Sequence, residues 1–264
     1  MVSLLSAQRI AELRQPAAQV VAVRVVARTG STNADLLAHI GMISSPVLLI
    51  AENQTAGRGR AGRAWHSAPD ASLTFSLAWN FRRPVQELVG LPLAVGAVIA
   101  EVLKSFGIDT LLKWPNDVLK DGRKLSGILI ETASVDSSRE QRTWAVIGIG
   151  LNLAMPGELA TRIGHAVADA SESSLDRNSL MAALLNALAE ALVLFEAQGF
   201  LAFMTRWNDL HAYAGQPVVI IDRGRTLHEG IAAGVDATGR LQLDTAAGRI
   251  AVMAGDVSLR LQEG

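Results

Sequence analysis

The residues best suited to chemistry lie in one short segment, Gly57–Trp65, which reads GRGRAGRAW. Its glycines allow backbone N–H groups to approach an anion closely, and its arginines donate paired hydrogen bonds to a phosphate or a carboxylate. No acidic residue lies between Glu52 and Asp70 to neutralise them. The segment therefore predicts an anion-binding loop, with a solvated basic turn as the alternative. It is not a Walker loop, because no Gly-Lys-Ser/Thr follows, and it does not open a helix as a dinucleotide fingerprint would.

Trp65 stands two residues after Arg63, the last arginine of this segment. Its ring has a flat face that could stack on a nucleotide base, although a tryptophan of the core is an equally ordinary interpretation. The cationic segment beside it favours the stacking role.

A second group of polar residues, Lys113–Asp117, ends an apolar run with the sequence KWPND. Ligands bind at strand ends of α/β sheets, so an ammonium, an amide and a carboxylate placed so closely indicate a binding site. A surface turn built from Pro, Asn and Asp is the alternative. Lys124 begins the next apolar run, KLSGILIE. If that run pairs with the strand ending at Lys113, Lys124 returns to the same site.

A third pattern, Gly148–Asn152, ends another apolar run with two glycines and an amide. Such glycines indicate close packing at least as readily as a ligand site. The histidines show no metal-ligand spacing, and the chain has no cysteine. Neither a metal-hydroxide mechanism nor a Ser-His-Asp triad is therefore supported, and the ligands of any metal stay unknown at this stage.

The alternation and periodicity of apolar residues predict the elements that must position these groups. Strands are predicted at Val20–Ala27 (as a buried strand), Pro46–Glu52, Ser72–Trp79, Thr110–Trp114, Leu125–Thr132 and Trp144–Leu153. Helices are predicted at Ala34–Ile40, Leu93–Phe106 and Ser179–Gln198. After Gly215 only short alternating runs remain, at Pro217–Asp222, Leu227–Asp236, Arg240–Asp244 and Arg249–Met253. We expect an α/β (α+β) domain over residues 1–212 and a small β-barrel over residues 213–264.

Composition excludes several classes of protein. The chain has 264 residues, a formal net charge of -1, 50% hydrophobic residues and no cysteine. This excludes a disordered chain, a disulfide-stapled domain and thiol chemistry, and it argues against a long nucleic-acid-coating face. The longest stretch without charge, Leu36–Ala51, is shorter than the roughly 20 apolar residues of a spanning helix, and no signal-peptide pattern opens the sequence. We expect a cytoplasmic protein without a membrane partner.

Five strings resemble those of the biotin protein ligases, also called biotin–[acetyl-CoA-carboxylase] ligases. They are STN at Ser31–Asn33, QTAGRGRAGRAW at Gln54–Trp65, KWPNDV at Lys113–Val118, KLSGILIE at Lys124–Glu131 and GIGLN at Gly148–Asn152. They follow the family's order and spacing over nearly the whole chain. The resemblance implies a mixed-sheet catalytic domain related to class II aminoacyl-tRNA synthetases and a small SH3-like C-terminal barrel. The segment before Ser31 is too short for the winged DNA-binding domain of bifunctional members, so a monofunctional form without a DNA partner is expected.

The resemblance also implies a two-step reaction. Biotin and ATP form biotinyl-5′-AMP with loss of pyrophosphate, and the biotinyl group then passes to a lysine of a biotin carboxyl carrier protein. ATP and biotin are the expected substrates, and the polyanionic leaving group implies Mg²⁺. The expected partner is the carrier protein, or the carrier domain of a biotin-dependent carboxylase, and a homodimer is possible.

The resemblance further implies roles for individual residues. The positions that match biotin and adenylate contacts are Ser31, Thr32, Asn33, Gln54, Arg58, Gly59, Arg60 and Lys124. The expected nucleotide-binding residues are Arg58, Arg60, Arg63, Trp65 (by stacking on adenine), Lys113, Asn116, Lys124, Asn152 and Arg260. Arg58, Arg60 and Lys124 are expected to be catalytic, because they can neutralise the two anions that react. Asp117, chosen by position, is expected to orient or deprotonate the carrier lysine.

One departure from the family pattern and two alternatives remain. Ala61 stands where the family commonly has arginine, so we assign it no role. A lipoate or octanoate ligase of the same superfamily would require a long apolar slot for its acyl chain, and the polar string from Gln54 to Arg60 argues against one. A nucleotide-binding regulatory module without turnover would use the terminal barrel for interaction.

Overall fold

A seven-stranded mixed sheet lies at the centre of the computed structural model, which describes residues 4–137, 140–163, 166–171 and 175–262. Its strands are β1 (Ala22–Thr29), β2 (Val47–Gln54), β5 (Ser72–Phe81), β6 (Leu111–Lys113), β7 (Asp117–Lys120), β8 (Arg123–Ser137) and β9 (Glu140–Asn152). They lie in the order β1-β2-β5-β9-β8-β7-β6; β1 and β2 are parallel, and the other neighbours are antiparallel. The short strands β3 (Gly57–Arg58) and β4 (Ala64–Trp65) form a hairpin between β2 and β5.

The main core lies between the sheet and two long helices. The described α-helices are α1 (Ala7–Glu12), α2 (Thr32–Ala38), α3 (Leu91–Ser105), α4 (Gly157–Ile163), α5 (Arg177–Gln198) and α6 (Met204–Asp209). Pro92 lies in the first turn of α3, and Asp176 accepts a hydrogen bond from the Ser179 N–H as the N-cap of α5. Because α3 and α5 are apolar on most sides, both are enclosed in the core.

Two helical segments, Val85–Ser105 and Arg177–Asp209, are long and apolar enough by length and composition to cross a membrane. Their most apolar windows are 67% and 61% buried inside the protein. Burial of this kind is ordinary for core helices, which pass the same test of length and composition.

The opposite face of the sheet is lined by small polar residues, as β5 illustrates. Its odd-numbered residues 73, 75 and 77 are large, apolar and part of the main core. Its even-numbered Ser72, Thr74 and Ser76 are buried on the other face. Helix α2 covers part of this second face over a small apolar cluster that includes Leu36 and Trp144. Polar groups can therefore be buried here next to the sheet.

The C-terminal segment forms a small five-stranded antiparallel domain; the sequence predicts a small barrel here with four of these strands and misses the last one. Its strands are β10 (Pro217–Asp222), β11 (Arg225–Val235), β12 (Leu241–Thr245), β13 (Gly248–Val252) and β14 (Val257–Leu261), in the order β13-β12-β11-β10-β14. It packs on the sheet domain, where the Trp114 indole N–H donates to the Gly239 carbonyl at 3.2 Å. The connecting segment covers β6: the Leu112 N–H donates to the Leu210 carbonyl at 2.7 Å, and Ala212 donates back to Leu112 at 2.8 Å.

Two expectations about strands are wrong. The run Leu125–Thr132 does not pair with the strand that ends at Lys113, because β7 lies between them. A strand as short as β7 leaves too few residues for alternation to be recognised. The run predicted as the buried strand Val20–Ala27 is observed as β1, an edge strand that is largely exposed or half-buried. Its apolar residues pack on both faces without becoming fully buried: Val23 and Val25 lie against the main core, and Val26 lies against the cluster under α2.

Candidate active site

The glycine- and arginine-rich segment is the β3–β4 hairpin. A Cβ atom on Gly57 would lie 2.5 Å from the backbone oxygen of Trp65, so close pairing of the two strands requires glycine here. The tip turns through Ala61 and Gly62, whose φ angles of 52° and 71° are left-handed. The hairpin thereby holds its arginines above the polar face of the sheet.

Small residues from three neighbouring strands form the floor beneath the hairpin. Register places Ser76 beside Gly148, and it places Thr74 beside Gly150, which in turn neighbours Gly127. Only such small residues leave space between the sheet and the hairpin. The glycines of the GIGLN string therefore allow close packing, and the groups that pack against them are side chains of the site.

Two of these glycines are in contact with side chains expected to bind substrate. A Cβ on Gly148 would lie 2.4 Å from Asn33 Oδ1, and a Cβ on Gly150 would lie 2.2 Å from the indole ring of Trp65. Both approaches are too close for any larger residue. The sequence thus fixes the depth at which Asn33 and Trp65 enter the site.

A continuous chain of hydrogen bonds forms one side of the site. The Gln54 Oε1 atom accepts from the Thr32 N–H at 2.8 Å. The Thr32 and Ser76 hydroxyl oxygens are 2.6 Å apart, and Ser76 Oγ donates to Asn33 Oδ1 at 2.5 Å. These groups are largely buried, and they present donors and acceptors within a few ångströms of one another. A ligand with a small ring that is polar on both edges suits such a wall.

Glu131 extends this chain to the hairpin. Its Oε2 atom accepts from Asn33 Nδ2 at 2.9 Å and from Arg58 at 2.9 Å. The salt bridge is partly exposed, with 45% of the Arg58 side chain accessible. The guanidinium of Arg58 is thus paired with a carboxylate of the sheet.

Arg60 connects three parts of the molecule. Its guanidinium donates to Asn116 Oδ1 at 2.8 Å and to the backbone carbonyl of Gly255 in the C-terminal domain. Asn116 itself donates from Nδ2 to the Ile128 carbonyl at 2.8 Å. Burial lowers the pKa of Arg60, while Asp117 acts in the opposite direction, and the group still carries its charge at neutral pH.

Lys124 lies at the centre of the cationic side. Its Nζ atom is 2.6 Å from Asp117 Oδ1 and 5.8 Å from the centroid of the Trp65 ring. Lys113 lies beside the two cavities, with its Nζ atom 5.8 Å from the centroid of the Tyr213 ring. Burial lowers the pKa of Lys113; Asp117 opposes that shift, and nearby cations including Lys124 add to it. Burial of the Tyr213 phenol, together with the nearby charge of Asp117, raises the pKa of Tyr213.

Two adjoining cavities meet at the hairpin. One has a volume of about 50 Å³ and is bounded by the polar chain, and the other has a volume of about 450 Å³ and is bounded by cationic residues. Five residues line both cavities: Gly59, Arg60, Trp65, Asn116 and Lys124. The arrangement offers a polar compartment and a cationic compartment with a shared wall.

Sequence comparison assigns the chain to a family. The Biotin/lipoate A/B protein ligase family matches residues 25–152, and the biotin protein ligase C-terminal domain matches residues 213–260. The chain is 38% identical to the bifunctional ligase/repressor BirA of Escherichia coli over 91% of this chain and 75% of that protein. It is 39% identical to the biotin–[acetyl-CoA-carboxylase] ligase of Mycobacterium tuberculosis over 88% and 87% of the respective chains. The chain belongs to the biotin protein ligase family.

Solved biotin protein ligases have the same fold. The structure from Aquifex aeolicus in complex with biotin and ATP aligns with a TM-score of 0.75 at 28% identity, over 91% of this chain and 99% of that one. The predicted mixed-sheet domain with a small C-terminal β domain is therefore confirmed, and so is the predicted enzyme class, a ligase.

The structure brings most of the residues expected from the biotin protein ligase resemblance to one place. The residues that line the two cavities include Ser31, Thr32, Asn33, Gln54, Arg58, Gly59, Arg60, Arg63, Trp65, Asn116, Asp117, Lys124 and Asn152. Ser31 also caps α2 by accepting from the Ala34 N–H. Lys113 lines an adjacent small pocket, and Arg260 is exposed on β14 outside both cavities. The charge of Arg260 is still close enough to lower the pKa of Lys113.

Sequence reasoning missed two site residues. Ser76 lies in the hydrogen-bonded chain, and the alternation of small polar and large apolar residues along β5 could have revealed it. Glu131 belongs to the KLSGILIE string, yet its contact with Arg58 joins residues far apart in sequence, which no local pattern reports.

Within the parts of the chain that the structure describes, no group of three His, Asp or Glu side chains could hold an ion. Asp117 is the carboxylate that lines the cationic cavity. Mg²⁺ commonly binds through one or two carboxylates and substrate phosphates, so this site suits an ion that arrives bound to ATP.

Proposed function

We propose that the protein activates biotin with ATP to form biotinyl-5′-AMP, with release of pyrophosphate. It then transfers the biotinyl group to a lysine of a biotin carboxyl carrier protein. The observation that carries this proposal is the junction of a polar compartment with a cationic compartment at Arg60, Trp65 and Lys124. The similarity to the biotin–[acetyl-CoA-carboxylase] ligase of Mycobacterium tuberculosis and to the Aquifex aeolicus structure in complex with biotin and ATP supports it.

The polar compartment is the proposed biotin site. The ureido ring of biotin is polar on both edges, and the chain from Gln54 through Thr32 and Ser76 to Asn33 offers matching donors and acceptors. The glycine floor lets Asn33 and Trp65 approach the sheet closely, while Ser31, Gly59 and Arg58 close the compartment. In this proposal Arg58 exchanges Glu131 for the substrate.

The cationic compartment is the proposed nucleotide site. Biotin carboxylate and the α-phosphate of ATP repel each other, and Arg58, Arg60 and Lys124 are proposed to neutralise both. Holding the two groups in line converts a bimolecular step into a positioned one. Arg63, Lys113, Asn116, Asn152 and Arg260 are proposed as further contacts for the nucleotide, and Trp65 is proposed to stack on adenine. Mg²⁺ enters with ATP as part of the substrate, and Asp117 is the carboxylate available to it.

The two steps use different groups. In the second step the carrier lysine must lose a proton before it attacks the mixed anhydride, and Asp117 is the proposed orienting group or base. Its salt bridge with Lys124, at 2.6 Å, holds the carboxylate beside the cations that are proposed to bind the mixed anhydride. If Asp117→Asn transfers biotin from preformed biotinyl-5′-AMP at the normal rate, this role is wrong.

The proposal extends to the setting of the enzyme. A division into residues 1–212 and 213–264 assigns every proposed contact except Arg260 to the first domain. The cytoplasm, where ATP and newly made carrier proteins meet, is the proposed compartment. A homodimer stays a prediction.

The decisive experiment is exchange of labelled pyrophosphate into ATP. We expect exchange that depends on biotin and is not supported by lipoate or octanoate, because the hydrogen-bonded chain from Gln54 to Asn33 matches a ureido ring and has no partner in those acids. Exchange with lipoate alone would instead identify the lipoate ligase alternative. Binding of ATP without pyrophosphate exchange in the presence of biotin, lipoate or octanoate would identify a regulatory module.

A further inference from the structure

Arg177 is a buried cation in an unusual place. It is the first residue of α5, where the helix dipole disfavours a positive charge, yet its side chain is only 3% exposed. A buried guanidinium at a helix N-terminus requires compensation by nearby carboxylates. Two carboxylates supply it, and both lie at the ends of the segment that carries the β3–β4 hairpin.

The two contacts bracket the hairpin. Arg177 NH2 is 2.6 Å from Glu52 Oε2, and Arg177 NH1 is 2.9 Å from Asp70 Oδ1. Glu52 lies on β2 two residues before Gln54, and Asp70 lies two residues before the start of β5. One planar guanidinium therefore binds both ends of the segment that contains Arg58–Trp65. We call these two ends, Glu52 and Asp70, the roots of the hairpin segment.

The geometry at each root fits a clamp. Asp70 has a φ of 60°, a left-handed conformation that directs the chain into β5. Glu52 also accepts from the Leu5 N–H at 3.0 Å, so its carboxylate is held from two sides. Helix α5 belongs to the main core and provides a rigid anchor.

We propose that Arg177 is a positioning residue for the reaction: it sets the separation and angle of the two roots and thereby the height of the hairpin arginines above the glycine floor. It touches neither substrate and acts through Glu52 and Asp70. The role in catalysis rests on the proposed function, whereas the clamp itself rests on geometry alone.

Asp70→Asn is the sharpest variant. Asparagine tolerates the left-handed conformation as well as aspartate does, so the backbone is kept while the charge on one root is lost. The matched control is Glu101→Gln, because Glu101 is also a partly exposed carboxylate paired with an arginine, Arg206, on helices away from the site. Arg177→Lys is the companion, since a single ammonium cannot replace the fork of a guanidinium.

We expect kcat/KM for biotin-dependent pyrophosphate exchange to fall on the order of tenfold in Asp70→Asn and about a hundredfold in Arg177→Lys, because small misplacement of catalytic groups is costly. The double variant should be no worse than Arg177→Lys. The thermal midpoint of Asp70→Asn should match that of Glu101→Gln. Equal exchange by Asp70→Asn and the control, or additive effects in the double variant, would overturn the proposal.

A second readout is independent of biotin chemistry. Trypsin should cut after Arg58, Arg60 or Arg63 severalfold faster in Asp70→Asn than in Glu101→Gln, at a temperature where both are folded. Unchanged cleavage means that the roots are not clamped by Arg177, even if the wild-type protein showed no exchange. Failure of the proposed function and failure of the clamp are thus told apart.

Discussion

Lys124 lies where the charged and aromatic groups of the site meet. It pairs with Asp117, lies near the face of Trp65 and lines both cavities. Its side chain is 31% exposed, so the salt bridge contributes only about 1 kcal/mol or less to stability. In the proposed reaction this lysine is therefore expected to contribute to catalysis more than to stability.

Lys124→Ala should damage adenylate formation far more than folding. Loss of one preorganised cation is expected to lower kcat by roughly 10²- to 10³-fold, about 2.7–4 kcal/mol. Pyrophosphate release measures the effect, and Lys104→Ala, at an exposed lysine of α3, is the control. Unchanged pyrophosphate release in Lys124→Ala would remove the catalytic assignment.

Gly148→Ala tests the depth of the biotin compartment. The added methyl group would lie 2.4 Å from Asn33 Oδ1 and push that side chain out of the hydrogen-bonded chain. We expect biotin affinity to fall by at least tenfold, and overpacking to cost about 1–3 kcal/mol of stability. Gly41→Ala, where an added methyl group meets nothing within 4 Å, is the control for calorimetric binding. Normal affinity in Gly148→Ala would contradict the assignment of this wall.

At the scale of elements, the hairpin and its floor form the site together. The polar compartment, at about 50 Å³, holds only a few water molecules. Trp65 and the Arg58–Glu131 salt bridge fill the space between floor and hairpin. We therefore expect the hairpin to move away from the floor when biotin binds and then to close.

Protease protection should report this movement. We expect trypsin to cleave the free enzyme within Arg58–Arg63 and to be slowed severalfold by biotin with ATP, because closure orders a segment whose glycines are costly to fix. Cleavage at other sites serves as the internal control. Equal rates with and without both substrates would show that the hairpin does not close over them.

Sequence patterns predicted the elements better than their arrangement. Alternation predicted β5 and four of the five C-terminal strands to within two residues, because their burial repeats every second position, whereas β14 was not predicted. The position of β7 between β6 and β8 could not be predicted, since a four-residue strand carries no periodic signal. Contacts such as Arg177 with Glu52 join residues more than a hundred positions apart, and only the folded chain brings them together. The cationic loop was predictable because its glycines and arginines are contiguous.

For the whole molecule, stability should depend on pH through His211. This residue is 6% exposed, packs against Trp207 with the rings tilted by 37° and their centroids 4.8 Å apart, and has a pKa lowered by burial to about 4. Between about pH 6.5 and pH 4 the unfolded chain binds a proton that the folded chain does not. The free energy of unfolding should therefore fall as the pH falls through this window, by roughly 3 kcal/mol from this group.

Urea titrations at several pH values measure this effect. His211→Phe keeps an aromatic ring against Trp207 and removes the titrating group, so its stability should depend less on pH between 4 and 6.5. An identical slope in His211→Phe and the wild-type protein would show that other groups control acid stability.

The connection between the two domains has a consequence for fragments of this protein. The segment that leads to the C-terminal domain covers β6, and that domain also accepts the hydrogen bond of the buried Trp114 indole. A truncated chain that ends before residue 210 would present a bare strand edge and an uncovered aromatic ring side by side. Such a surface favours self-association through strand addition, so shortened forms should aggregate where the full chain does not.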